Sequence, residues 1–329
     1  MPTSVKIMKH ATNSIRNLTT VLVLACVLAS GQAQNSRAES ANSYLERGNS
    51  WLIKGEIERA IADYDLAIVF NPKAAQAYRS RGLARHRNQD LIGALADFDR
   101  AIQLNPRFIE AYVNRGAVRY QQSDWDGAIS DNSKAIELNP QQAKAWYNRG
   151  IARYNKRDLT AALADLDQAI KLNATLPEAY NWRGIVRHLR SDFAGALSDF
   201  EKAIKLKPDF ASAYFDRGAT RHITGDIDGA LRDYDQALRL DPTNEEVYFN
   251  RAKAWQAKGE LDRALTDYDR AIQRKPTYAE AYAHRGIVKL LQGKDAQQDF
   301  DECLKLNPQL KADVEELIKQ TKQQLAGKP

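Results

Sequence analysis

The chain has 329 residues, 48 Lys+Arg against 42 Asp+Glu, and a formal net charge of +6. So mild a surplus gives no electrostatic case for binding nucleic acid or anionic lipid. Two cysteines rule out a disulfide framework, and a hydrophobic fraction of 43% is that of an ordinary globular chain.

Residues 1–33 carry Lys6, Lys9 and Arg16 and no acid. An apolar run from Leu18 to Leu28 follows, broken only by Thr19 and Thr20, and then small residues in "ASGQAQ". Basic start, short apolar stretch and small-residue site, in that order, predict a secretory signal. The run is too short to span a bilayer as a helix. Cleavage after Gly31 or Ala33 would remove three basic residues and Cys26, leaving a nearly balanced chain whose one thiol is Cys303. The mature protein is then expected in the periplasm or secreted. The alternative is lipidation at Cys26 in "VLAC", which would anchor the chain to a membrane. Residues 34–40 read as a linker.

From residue 41 the chain repeats. Prolines at 72, 106, 140, 208, 242, 276 and 308 set a period of 34 residues. Seven repeats run without a gap over 41–74, 75–108, 109–142, 143–176, 177–210, 211–244 and 245–278. An eighth, 279–310, is two residues shorter between Gly293 and Ala296. Position 4 of every repeat is aromatic, from Tyr44 to Tyr282. Position 8 is glycine except for Ala252, position 20 is always alanine, and position 27 is alanine except for Cys303. Each repeat predicts two amphipathic helices, at about positions 2–14 and 16–30, with a polar turn such as "TGD" at 224–226. Small residues at positions 8 and 20 imply a close crossing of the two.

This pattern resembles the tetratricopeptide repeat, which has 34 residues, an aromatic at 4, glycine at 8, alanine at 20 and 27, an aromatic at 24 and proline at 32. The resemblance covers residues 41–310. It implies an all-α, right-handed α-solenoid of eight helix-turn-helix repeats, whose first helices line a concave groove and which binds protein segments. The chain departs from the pattern at Asn132 and Leu166, which replace the position-24 aromatic, and at Ala174, which replaces the proline. Residues 311–329 close the array. Leu310, Val314, Leu317, Ile318 and Leu325 form one stripe and predict a capping helix.

Arginine fills position 7 of all eight repeats and position 11 of five. Aspartate fills position 23 of all eight. Helical spacing puts these columns on the faces between helices, where a charge must be paired. The expectation is a structural ion-pair ladder that includes Arg115, Arg149, Arg183 and Arg217 with Asp131, Asp165, Asp199 and Asp233, within or between repeats.

Positions 2, 5, 9, 12 and 13 are left for the groove. The candidate partner-binding residues there are Tyr120, Tyr147, Tyr154, His188, Phe215, His222 and Phe249, with position 5 expected to project furthest from the contacts between repeats. Aromatic anchors with polar edges suit a peptide or partner helix. His86, His188 and His222 share position 12, but no acid or thiol stands at ligand spacing beside them, so no metal is expected. No cofactor is expected either, and no phosphate-binding loop or nucleophile motif predicts an enzyme.

The family's carboxylate-clamp positions are filled by Arg79, Leu83, Asn114, Lys144 and Asn148, a partial match. The reading is a non-enzymatic scaffold or adaptor that binds a segment of another protein outside the cytoplasm. The alternatives are a lipoprotein adaptor of an envelope assembly and a carboxylate-clamp-like co-chaperone.

Overall fold

The computed structural model describes residues 39–326. The expected export signal, Cys26, nearly all of the 34–40 linker and the last three residues lie outside the described residues. Within them the chain is helical, with no strand. Helix α1 covers 39–53. It is followed by α2 (Ile57–Phe70), α3 (Ala75–Arg87), α4 (Leu91–Leu104), α5 (Ile109–Gln121), α6 (Trp125–Leu138), α7 (Ala143–Asn155) and α8 (Leu159–Leu172). Then come α9 (Pro177–Leu189), α10 (Phe193–Leu206), α11 (Ala211–Ile223), α12 (Ile227–Leu240), α13 (Glu245–Ala257) and α14 (Leu261–Arg274). The eighth repeat holds α15 (Ala279–Leu291) and α16 (Gln297–Leu306), and α17 (Lys311–Ala326) follows a single 3-10 turn.

The two helices of a middle repeat occupy positions 1–13 and 17–30, a residue or so away from the expected bounds. The reason lies in the turn. Position 16 is an N-cap, so the second helix starts after it. Asp90, Asp124, Asp158, Asp192 and Asp226 each accept a hydrogen bond from the backbone N–H three residues on. That satisfies one of the open donors of the first turn. Position 15 takes the left-handed conformation: Gly225 has φ +88°, and Ser191, without glycine's freedom, still has φ 62°. At the far end, Asn71, Asn105, Asn139, Asn173 and Asp241 accept from the N–H two residues on, folding the chain around position 32. Where the fifth repeat lacks its preceding proline, Pro177 stands at the first turn of α9, where a missing N–H costs nothing.

The helices fall into two compact units, one ending at Ala152 and the other beginning at Arg153, within α7. In the N-terminal unit, Leu52, Ala60, Tyr64 and Ala84 form one core cluster, Ala94, Phe98 and Val118 a second, and Val113, Ala135, Ile136 and Ala145 a third. Position 24 is buried here even where it is polar. Asn132 donates from Nδ2 to the Ala128 carbonyl at 2.8 Å, while its buried Oδ1 accepts nothing.

In the C-terminal unit, Tyr234, Tyr248, Tyr268, Val247 and Val288 anchor a large cluster that bridges the sixth, seventh and eighth repeats. The glycine column is explained in α9: a Cβ on Gly184 would stand 2.6 Å from Phe200 Cε1, so the ring of α10 needs that space. The expected cap forms. Val314 of α17 packs with Ala283, Ile287 and Phe300, and Leu317 and Ile318 lie against the same cluster. Leu325, expected on that stripe, is instead exposed.

Candidate partner-binding clefts

The repeated arginines are frame. Asp199 is 3% exposed and receives three bonds: Arg183 Nε and Nη2 at 2.9 and 2.6 Å, and Arg187 Nη1 at 2.8 Å. Asp97, Asp131 and Asp233 are held the same way by Arg81 with Arg85, Arg115 with Arg119, and Arg217 with Arg221. Asp165 accepts from Arg153 at 2.8 Å, and Arg149 donates to Ser133 Oγ at 3.1 Å. The aromatic at position 4 covers the guanidinium, as Tyr180 does Arg183 at 5.5 Å from the ring centre.

The pairs to position 23 are thus within a repeat. The remaining Nη1 reaches back to position 25 of the preceding repeat: Arg81 to Asp65, Arg115 to Asp99, Arg183 to Asp167, Arg251 to Asp235 and Arg285 to Asp269, all at 2.6–2.7 Å. Burial opposes the charge on Arg81, but Asp97 and Asp65 outweigh it and hold its pKa above the ordinary value. The sequence signal for this second link is the recurring acid two residues after position 23, in "DYD", "DFD" and "DLD". With Ser133 and Glu201 in the same column, it is an incomplete one.

The candidate groove residues do not share one environment. In the N-terminal unit, Tyr120 is half-buried and meets Trp125 edge-on at 5.0 Å, and Tyr147 is half-buried. In the C-terminal unit Tyr154 meets Trp182 at 5.1 Å. His188 shares a hydrogen bond with Thr220 Oγ1 at 2.8 Å, and burial lowers its pKa. Phe215 lies against the core beside Tyr234.

Phe249 corrects the expectation. It is 9% exposed and packed against Tyr268, Tyr278 and His284. Position 5 does not project from the contacts between repeats; it enters them. Val113 is likewise core, and buried Asn181 donates to Asp216 of the next repeat at 2.9 Å. The position reads as groove on one isolated helix, and the neighbouring repeat covers it.

His222 does reach open space. It lines a cleft of ≈ 260 Å³ with Ala219, Ile223, Tyr234, Asn250 and Lys253. It also lines a second, of ≈ 350 Å³, with Lys253, Gln256, Ala257, His284, Leu291 and Gln324. The walls come from α11, α13 and α15, with Tyr234 from α12 and Gln324 from α17. Burial, and then the charge of Lys253, lower the pKa of His222 and push that of His284 down to about 4. Both imidazoles are therefore neutral donors and acceptors near neutral pH. Ile223 is 61% exposed at the edge of the smaller cleft.

Sequence reasoning missed Lys253, Tyr234 and His284. The available signal was the odd residue in a column: position 9 is Asn49 in the first repeat, Leu83, Ala117, Ile151, Ile185, Ala219 and Ile287 in six others, and charged only in the seventh.

Paired helices of fixed length, a small-residue crossing and a capped end define a helical-repeat protein of the solenoid class. The TPR repeat model matches residues 48–89, 118–157, 220–259 and 256–293, and a second tetratricopeptide model matches 147–211. The chain belongs to the tetratricopeptide-repeat family.

Among solved structures it is similar to PilF of Pseudomonas aeruginosa, at 18% identity and TM-score 0.60 over 68% of this chain and 99% of that one. A tetratricopeptide repeat protein from Parabacteroides merdae matches at 18% identity and TM-score 0.59, covering 81% and 99%. The APC/C hetero-tetramer Cut9–Hcn1 matches at 14% identity and TM-score 0.64, covering 84% of this chain and 55% of that one. No curated protein sequence matches the chain.

Proposed function

We propose that the protein is a non-enzymatic scaffold that holds a segment of another protein in the clefts along α11, α13 and α15. The observation that carries this reading is the pair of adjoining clefts, which combine the exposed Ile223 with the donors of Lys253, His222 and Asn250. An apolar edge beside a few placed polar groups is the composition of a recognition site. Membership of a family whose repeats serve protein association supports the same reading.

We place the site of action outside the cytoplasm, on the strength of the signal-like order of residues 1–33. Sequencing the N-terminus of the protein from its host should return Gln32 or Gln34. An intact Met1 or a lipidated Cys26 would overturn that placement.

The binding test is affinity capture on the full chain and on two variants, Ile223→Asp and His222→Ala. A partner retained by the native protein and lost by both variants supports the cleft. A partner retained equally by all three sinks it.

A further inference from the structure

We propose that the smaller cleft selects acidic segments, with an aspartate or glutamate side chain of the partner seated between Lys253 and the Tyr234 hydroxyl. This rests on the cleft being the docking site. Two independent observations lead to it.

The first is charge. Neither cleft has an aspartate or glutamate in its lining. Lys253 is its one ammonium, and among the described residues no carboxylate pairs with it. Several basic groups on or near α13 are already paired: Lys258 with Asp228, Lys275 with Glu245, and Arg251 with Asp235 and Asp267. One acid, Asp216, acts on the Tyr234 phenol from outside the lining of both clefts. Asp216 sits on α11 and accepts from Asn181, and Glu246 is exposed on α13, two turns before Lys253. Burial first, and then the charge of Lys253, disfavour protonation of both neighbouring histidines, so neither adds a second positive charge to the cleft.

The second observation is an orphan hydroxyl. Tyr234 is fully buried, lines the cleft, and its phenol oxygen has no hydrogen-bond partner. The tyrosines at the same position in other repeats are satisfied. Tyr64 donates to Asn49 Oδ1 at 2.8 Å, and Tyr268 to Gln256 Oε1 at 3.1 Å. In the sixth repeat the counterpart of Asn49 is Ala219, which offers nothing, and the counterpart of Gln256 is His222, which makes no hydrogen bond with the phenol. A buried donor without an acceptor is costly, and a buried hydroxyl lining the same cleft as an ammonium that meets the Phe249 ring but no carboxylate calls for one ligand that answers both. A carboxylate does: its oxygens accept from the phenol and the ammonium together, and Asn250 and His222 can complete its shell. Ile223 at the edge then favours an apolar residue close to the acid in the partner's sequence.

The test is selection of random dodecapeptides displayed on phage against the immobilised full chain, in parallel with Lys253→Met and Tyr234→Phe. The native protein is expected to enrich peptides carrying Asp or Glu beside an aliphatic residue. A synthetic copy of the leading peptide, followed by fluorescence anisotropy, should bind roughly tenfold more weakly to Lys253→Met and severalfold more weakly to Tyr234→Phe. Its glutamine-substituted form should bind native protein and Lys253→Met alike. Thermal melting confirms that each variant is folded, and Lys253→Arg should restore binding.

Peptides enriched without acidic residues, or acidic peptides indifferent to Lys253→Met, would overturn the inference and leave cleft binding standing. A native protein that enriches no peptide would overturn both.

Discussion

At the scale of the residue, the chain separates charges that are structural from charges that are free to act. Asp199 illustrates the first. Replacing it by Ala leaves Arg183 and Arg187 facing a buried void, which costs about 3–5 kcal/mol. Asp167, at the other end of the same guanidinium, is 49% exposed, and its Ala variant should cost no more than about 1 kcal/mol. Urea unfolding of the two variants checks the contrast; equal costs would mean that the ladder is held from outside.

Asp216 illustrates a charge under strain. Burial raises its pKa to about 7, against the lowering effect of the Asn181 amide. The folded chain therefore keeps this proton to a higher pH than the unfolded chain does. Its contribution to stability is full at low pH, falls from the ordinary carboxylate range upward, and is gone above about pH 7. Asp216→Asn keeps an acceptor for Asn181 and cannot ionise. The variant should match the native protein near about pH 4 and exceed it by roughly 1–3 kcal/mol near about pH 8. Melting curves across that range decide it, and a constant difference would show that Asp216 is not the titrating group.

The element scale shows what periodicity conveys and what it does not. Helix pairs, the proline beat and the cap could be read from columns, because each column answers one packing demand repeated eight times. Position 20 is alanine wherever two helices touch, and position 23 is aspartate wherever an arginine is buried. The link at position 25 was harder to read because its acid is partly exposed and tolerates Ser133 and Glu201. The cleft was harder still. Lys253, Tyr234 and His284 belong to three columns, and only a neighbour brings them together. Phe249 went wrong for the same reason, since one helix cannot tell which of its faces the next repeat covers.

Asn132 is the element-scale exception that can be repaired. It occupies a fully buried aromatic position and leaves Oδ1 unsatisfied. The fourth repeat carries a fully buried Leu166 at the same position. Asn132→Leu should raise stability by about 1–2 kcal/mol by removing a buried acceptor and adding apolar contact. Differential scanning calorimetry would show a higher melting temperature; a lower one would mean that a water or a shift of α5 serves the amide.

At the scale of the whole molecule, the back-reaching arginine has a further consequence. Except at Ser133 and Glu201, each repeat presents the same aspartate to its successor, and every later repeat presents an arginine at position 7 to its predecessor. Removing one complete period from the N-terminal unit, residues 75–108, would bring Arg115 to Asp65 in place of Asp99. The shortened chain should keep its helical content per residue and unfold cooperatively at a somewhat lower temperature, as nearest-neighbour energetics require. Circular dichroism tests this, and a disordered product would show that the joints are not equivalent. If they are equivalent, unequal recombination within the coding sequence can add or delete a link without spoiling the joint on either side. The number of repeats then becomes a trait that selection can vary in single steps, and the length of the array can drift while the cleft at α11–α15 stays intact.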